Sequence, residues 1–182
     1  MFKKFIITML LPLVVTSCGP ATVPAPERIR NTPFPKVQGR NLNQESITLP
    51  DSYRGKPTLL LIGYLQKAQF DIDRWILGAL QADIAAQIVE VPTIAGMAPQ
   101  MVQGFIDSGM RSGIPRSDWG SVVTVYQDAS KIIDALGNEK PNVTYAVLID
   151  KDGDIVWTSN SGYSAAQILE LKRIVESLQS DK

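Results

Sequence analysis

Few side chains in this chain could do chemistry, and their types narrow it sharply. The 182 residues include one cysteine, Cys18, and no histidine. A Ser-His-Asp hydrolase is therefore excluded, because Ser161, Ser164 and the other serines have no imidazole base. Asp150, Asp152 and Asp154 stand around Gly153 like the first half of a calcium loop. Such a loop needs a bidentate glutamate at its twelfth position, which here is Ser161. The spacing therefore predicts a hairpin turn, with at most weak calcium binding. Met97, Met101 and Met110 are soft ligands by type, but their helical setting predicts core filling. Asp71, Asp73 and Arg74 sit beside Trp75 at the start of a predicted helix. With Tyr64, Gln66 and Lys67 they form a candidate partner-binding surface beyond a strand's carboxyl end. The competing account is a helix N-terminus that favours acids, with a surface ion pair. Lys67 as a catalytic amine would need a desolvated pocket that the sequence does not supply. Trp119, between Asp118 and Gly120, is either an interface anchor or a ring folded back on the sheet. No catalytic residue, metal ligand or cofactor is indicated.

The lone cysteine has a different meaning. Lys3 and Lys4 precede an apolar run from Phe5 to Val15, too short for a permanent bilayer helix of about 20 residues. Val15-Thr16-Ser17-Cys18 then resembles a bacterial lipobox, in which cleavage before the cysteine is coupled to acylation of its sulfur. The resemblance implies a signal peptide over 1–17 and a lipid-anchored residue 18, since several acyl chains give stable anchoring where one does not. Gly19, where an aspartate would retain such a protein at the inner membrane, favours the outer membrane, facing the periplasm. Removal of the leader takes Lys3 and Lys4 with it, leaving 16 basic against 18 acidic residues. With no basic patch, nucleic acid and anionic lipid are poor candidate partners. Residues 18–35 hold Pro20, Pro24, Pro26, Pro33 and Pro35 and read as a stiff tether. Residues 36–182 are then one domain.

The elements that must position the candidates follow from periodicity. Thr58 to Leu65 is apolar on both faces, as in a strand buried between helical layers. Ile72, Ile76, Ala79 and Leu80 share a helical face, flanked by Phe70 and Trp75. A second strand spans Gln87 to Ile94, with Pro92 placing that end at an edge or turn. Pro99 opens a helix whose apolar stripe is Met101, Val102, Phe105, Ile106 and Met110. Ser121 to Tyr126 is a third strand, and Asp128 caps a short helix that Gly137 ends. Thr144 to Ile149 and Asp154 to Thr158 flank the Asp150 turn as a hairpin that carries Trp157. Ser164 and Gln167 form a capping box for a last helix with Ile168, Leu171, Val175 and Leu178 inward. Alternating strands and helices predict an α/β fold with parallel strands, helices on both faces and an antiparallel hairpin edge.

This layout resembles the thioredoxin-like superfamily. Ile47 to Pro57, with the buried strand after it, is similar to the entry of peroxiredoxins and envelope thiol reductases, and Val147 to Ile155 to their C-terminal hairpin. The resemblance implies a central mixed sheet with helices on both faces and a final hairpin plus helix. It also implies where redox cysteines would stand, at a helix N-terminus that stabilises a thiolate. That turn here reads Gln66-Lys67-Ala68-Gln69-Phe70, with Lys67 and Phe70 about where a C-x-x-C pair would fall. The superfamily's cis-proline before the hairpin has Thr144 near its place, with Pro141 three residues earlier. Copper-binding relatives use cysteines and a histidine that this domain lacks. Segments at Ala68 to Trp75, Met110 to Pro115 and Tyr145 to Trp157, with Gly162-Tyr163, also resemble the mitochondrial assembly factors of the ATP-synthase membrane sector. The implied role is a redox-inactive, lipid-anchored domain that binds a protein partner as an assembly or chaperone-like module. The alternatives are a small-ligand carrier and an enzyme of another type.

Overall fold

The computed structural model describes residues 29–96 and 100–180. The leader, Cys18, Gly19, Met97, Pro99 and the tether up to residue 28 lie outside them. In chain order the elements are β1 Thr32–Pro33, β2 Val37–Asn41, β3 Ser46–Leu49, β4 Thr58–Gly63, α1 Gln69–Gln81, β5 Gln87–Pro92 and α2 Gln100–Gly113. They continue with β6 Val123–Thr124, α3 Ala129–Leu136, β7 Tyr145–Ile149, β8 Asp154–Ser159 and α4 Ala165–Ser180. Among the described residues, no helix is long and apolar enough to cross a membrane.

Every residue of β4 is buried, as expected of a strand apolar on both faces. It is an interior strand, between β7 and β5, of a five-stranded sheet in the order β1-β8-β7-β4-β5. Only β4 and β5 pair in parallel; β7 is antiparallel to β4, and β8 to β7. The hairpin is thus not an added edge. Its first strand is interior and its second is covered by β1. Pro92 closes β5 at the edge of this sheet, where a missing N–H costs least. A three-stranded sheet, β3-β2-β6, lies alongside and is joined by parallel bridges Glu90–Val122 and Thr93–Val125. Gly39 is required where β2 meets β6: a Cβ there would stand 2.7 Å from a Val123 methyl and 3.0 Å from the Thr124 carbonyl oxygen.

Helices cover both faces. Leu59, Leu61, Ala146, Leu148 and Trp157 meet Ile72, Trp75 and Ala79 of α1 and Ile168, Leu171 and Val175 of α4. The other face, through Leu60, Ile62, Val89, Val91 and Val147, packs on Ile132 and Leu136 of α3 and on Val37 and Leu49. The mixed sheet with helices on both sides is the architecture expected from sequence.

Several local expectations need correcting. Residues 29–35 are not spacer: the Asn31 N–H donates to the Ile155 carbonyl at 2.7 Å, Phe34 to Gly153 at 3.0 Å, and Phe34 is in the core. The prolines suggested a spacer, but Pro33 and Pro35 lie at an edge, where missing donors are tolerated. The third strand shrinks to Val123–Thr124: Ser121 belongs to a 3-10 helix over Arg116–Ser121, and Val122 and Val125 keep only isolated bridges to Glu90 and Thr93. Asp128 makes no side-chain cap bond to α3; its carboxylate accepts the Gln38 N–H at 2.8 Å and pairs with Lys131 at 2.9 Å. Ser164 accepts the Gln167 N–H at 3.3 Å, while the Gln167 amide turns to Ser159 and Ser161 rather than closing the capping box.

The apolar stripes need correcting too. On α1, Leu80 is exposed and Trp75 takes the inward place, which puts Phe70 and Leu77 outside. The α2 stripe is split: Met101 and Phe105 face away, more than four-fifths exposed, with Val102 beside them, while Ile106 and Met110 are half-buried. The inward side of α2 carries both charges: Asp107 accepts the Tyr126 hydroxyl at 2.9 Å, and Arg111 donates to the Leu42 carbonyl at 2.8 Å.

Candidate functional site

The segment from Tyr64 to Trp75 runs from the carboxyl end of β4 through a 3-10 turn, Gln66–Ala68, into α1. Ala68 is buried and fixes the turn against the sheet, leaving Leu65, Gln66, Lys67 and Phe70 outward. Gln69 donates to Asp73 at 3.0 Å across one helical turn. Arg74 lays its guanidinium 4.8 Å from the ring centre of Tyr163, a cation–π contact that holds it on the α4 side.

Asp71 does something its sequence position did not reveal. Its carboxylate accepts the Thr144 N–H at 3.0 Å and the Tyr163 N–H at 2.8 Å. One side chain thus ties the first turn of α1 to the entry of β7 and to the loop before α4. Each of its two oxygens is engaged within the fold, so Asp71 acts as a brace. Thr144, near the place where the resemblance puts a cis-proline, is fully buried and supplies one of those donors. Among the described residues, the cis peptide is Leu49–Pro50, at the far end of β4, where Pro50 packs on Gly153.

Trp75 is likewise no surface residue. It has no exposed area and meets Trp157 and Tyr163 edge to face, at 5.9 and 5.8 Å between ring centres. The helix phase explains this: Ile72, Trp75 and Ala79 point to the sheet together, whereas Phe70 does not. Tyr64 is half-buried, edge-on to Tyr145 at 5.1 Å. Its hydroxyl is buried without a hydrogen-bond partner among the described residues. Burial first, then Tyr145 and Glu139, hold that hydroxyl well above the ordinary phenol value, so it stays neutral.

Trp119 is held apart from this turn. Its indole N–H donates to the Ile114 carbonyl at 3.0 Å, and its own carbonyl accepts from Leu42 beside the β2–β3 connection. Arg111 and Arg116 flank the ring at 5.7 and 5.6 Å. Of its two expected places, the ring takes the folded-back one, half-buried between two cations.

Beneath the segment, Glu90 of β5 is buried. Burial raises its carboxyl pKa, a Gln69 hydrogen bond lowers it, and the Asp73 charge raises it again, with a net rise. Sequence analysis passed over Glu90 because one acid in an apolar strand carries no spacing signal.

The Asp150 turn is a hairpin connection, as its spacing predicts. Asp150 accepts the N–H groups of Asp152 at 2.9 Å and Asp154 at 3.0 Å. Gly153 has φ of +87°, and a Cβ there would be 2.7 Å from Pro50. Arg54 also donates to the Asp152 carbonyl. Among the described residues, no group of three His, Cys, Asp or Glu side chains could hold a metal. A cavity of about 760 Å³ opens at the opposite end of β4 from Tyr64, lined by Lys56, Pro57, Gln87, Asp150 and Lys151.

No family model matches the chain, and no curated protein matches it in sequence. Solved structures do resemble it in shape. The exposed lipoprotein thioredoxin Etrx1 of Streptococcus pneumoniae superposes with a TM-score of 0.54 at 14% identity, covering 77% of this chain and 99% of its own. A thiol:disulfide interchange protein from a Bacteroides species gives 0.55 at 16%, covering 81% and 90%. Copper-bound yeast Sco1 gives 0.54 at 12%, covering 80% and 92%. At these identities the likeness is one of fold. The chain has a thioredoxin-like fold, and at the turn where that superfamily's thiols are expected it carries an internally braced α1 N-terminus with Leu65, Lys67 and Phe70 outward.

Proposed function

We propose that this chain is an envelope lipoprotein, acylated at Cys18, whose thioredoxin-like domain is redox-inactive and recognises a protein partner in an assembly or chaperone-like role. One observation supports this above the others. The turn after β4, where thiol exchange would need a cysteine, is instead locked by Asp71 and displays exposed Leu65 and Phe70 among Lys67, Asp73 and Arg74. Apolar anchors inside a polar, mixed-charge rim are the composition of a protein interface. Gln66 and Lys67 widen that rim. A thiolate mechanism has no thiol in residues 36–182 to run on, because the one cysteine, Cys18, lies in the lipobox-like segment.

The test has two arms. Cys18→Ala should release the protein from carbonate-washed membranes with the fold unaltered; retention would refute the anchor. Photo-crosslinkers at positions 65 and 70, in cells, should trap one protein that Phe70→Glu no longer traps. Random labelling, or trapping unaffected by Phe70→Glu, would refute the recognition surface. Insulin-reductase activity in Cys18→Ala protein would refute redox inactivity.

A further inference from the structure

We propose that α2 is a bilayer-docking helix that lays its outer arc into the membrane to which the chain is tethered. At 100° per residue, Met101, Phe105, Ser112, Gly109 and Val102 share one side, and Ile106 flanks it half-buried. Met101 is 86% exposed, Phe105 81% and Val102 44%. The two charges of the helix, Asp107 and Arg111, both turn toward the protein and are bonded there. The outward arc therefore carries no charge, in contrast to α1, whose exposed Phe70 and Leu77 are interleaved with Asp73 and Arg74. Uncharged apolar surface is what hydrocarbon accepts and a charged rim is not.

The composition of the helix points the same way. Gly104, Gly109 and Gly113 each have open space where a Cβ would be, so close packing does not account for them. Three glycines and two serines make a poor helix former, and Met101, Phe105 and Val102 lie exposed, with no cover among the described residues. Burial in an interface would supply what the fold withholds.

The tether allows it. Cys18 lies eleven residues before Ile29, a span of at most about 36–40 Å when extended. Crossing from β1 to β6, five strand spacings in the joined sheets, takes about 24 Å. The anchored domain can therefore bring α2 to the bilayer without leaving its mooring, at high local concentration. This inference rests on the anchor reading, and the test separates the two.

Full-length acylated protein is placed in vesicles of phosphatidylethanolamine and phosphatidylglycerol, with a polarity-sensitive dye on Met101→Cys or, on the charged surface of α3, Lys131→Cys. Acylation blocks the sulfur of Cys18, so each chain carries one reactive thiol. The dye at position 101 should shift to the blue and be quenched by nitroxide-bearing lipid several-fold more than the dye at 131. Adding Phe105→Glu should abolish that quenching while the chain still floats with the vesicles. Equal quenching at both positions in floating protein overturns docking and leaves the anchor standing. A chain that does not float, with a free Cys18 thiol by intact mass, overturns both. A blue shift that needs only higher protein concentration, without vesicles, assigns the face to a second copy and overturns docking.

Discussion

Removing the Asp71 carboxylate should loosen the corner of the molecule that the partner-binding proposal depends on. Asp71→Ala deletes two hydrogen bonds from an ionised acceptor to backbone N–H groups, at 3.0 and 2.8 Å. Bonds to charged groups contribute about 1.5–3 kcal/mol each, and a buried donor left alone costs about 1–3 kcal/mol. Thr144 is fully buried, so its N–H cannot turn to water, whereas Asp71 and Tyr163 are half-buried and their share is smaller. The expected loss is about 2–4 kcal/mol. For a domain of this size that lowers Tm by about 5–15 °C. Asp71→Asn keeps one acceptor oxygen but turns an NH₂ toward the other donor, so it should recover less than half of the loss. Urea unfolding followed by tryptophan fluorescence reads this directly, because Trp75 lies 5.8 Å from the Tyr163 ring. Amide exchange adds a local reading: Thr144 and Tyr163 should lose protection before the β4 amides do. A loss under about 0.5 kcal/mol in both variants, or unchanged protection at those two amides, would refute the brace, since even one exposed hydrogen bond is worth more.

Three further outcomes follow from the packing and the charges. Gly78→Ala should destabilise by about 1–3 kcal/mol, because its Cβ would fall 2.5 Å from the Tyr163 ring and 3.1 Å from Ile168; an unchanged urea midpoint would show that the ring moves aside freely. Glu90 has a raised carboxyl pKa in the folded state, so its contribution is greatest when protonated, below the unfolded value, and is lost as pH rises through the folded value. Glu90→Gln should therefore raise the urea midpoint at neutral pH, with the gain vanishing near about pH 4, and a gain independent of pH would contradict the burial argument. Asp150→Ala should cost about 0.5–1.5 kcal/mol through its two lost turn bonds, and millimolar calcium should leave the wild-type Tm unchanged; a calcium-dependent rise would restore a metal role to the acidic turn.

The fold was legible where one periodicity admits one placement. Thr58 to Gly63, apolar from Leu59 to Ile62, became an interior strand buried at every residue, and the Asp-Gly turn set the hairpin. Amphipathic helices were harder, because a stripe says that two faces differ but not which one the protein covers. On α2 the polar side went inward, since Asp107 and Arg111 found Tyr126 and Leu42 there. On α1 the large rings at positions 70 and 75 lie 500° apart around the helix, and only one could face the sheet. The short strands β1, β2 and β3 were hidden by prolines, a glycine and polar residues, and formed because β8 and β6 offered free edges. Asp71 was picked out as a candidate, but its partners lie 73 and 92 residues further on, and no local pattern reports such a bond.

The way the chain enters the fold has a mechanical consequence. Thr32–Pro33 is stitched to β8 by very few bonds, with Phe34 plugged into the core directly behind. A pull transmitted through the residues before Ile29 therefore loads that small seam first and meets the Phe34 plug next. A two-residue seam of this kind would part under load before β4, β5 and β7 felt it, which makes it the weakest mechanical link of the body.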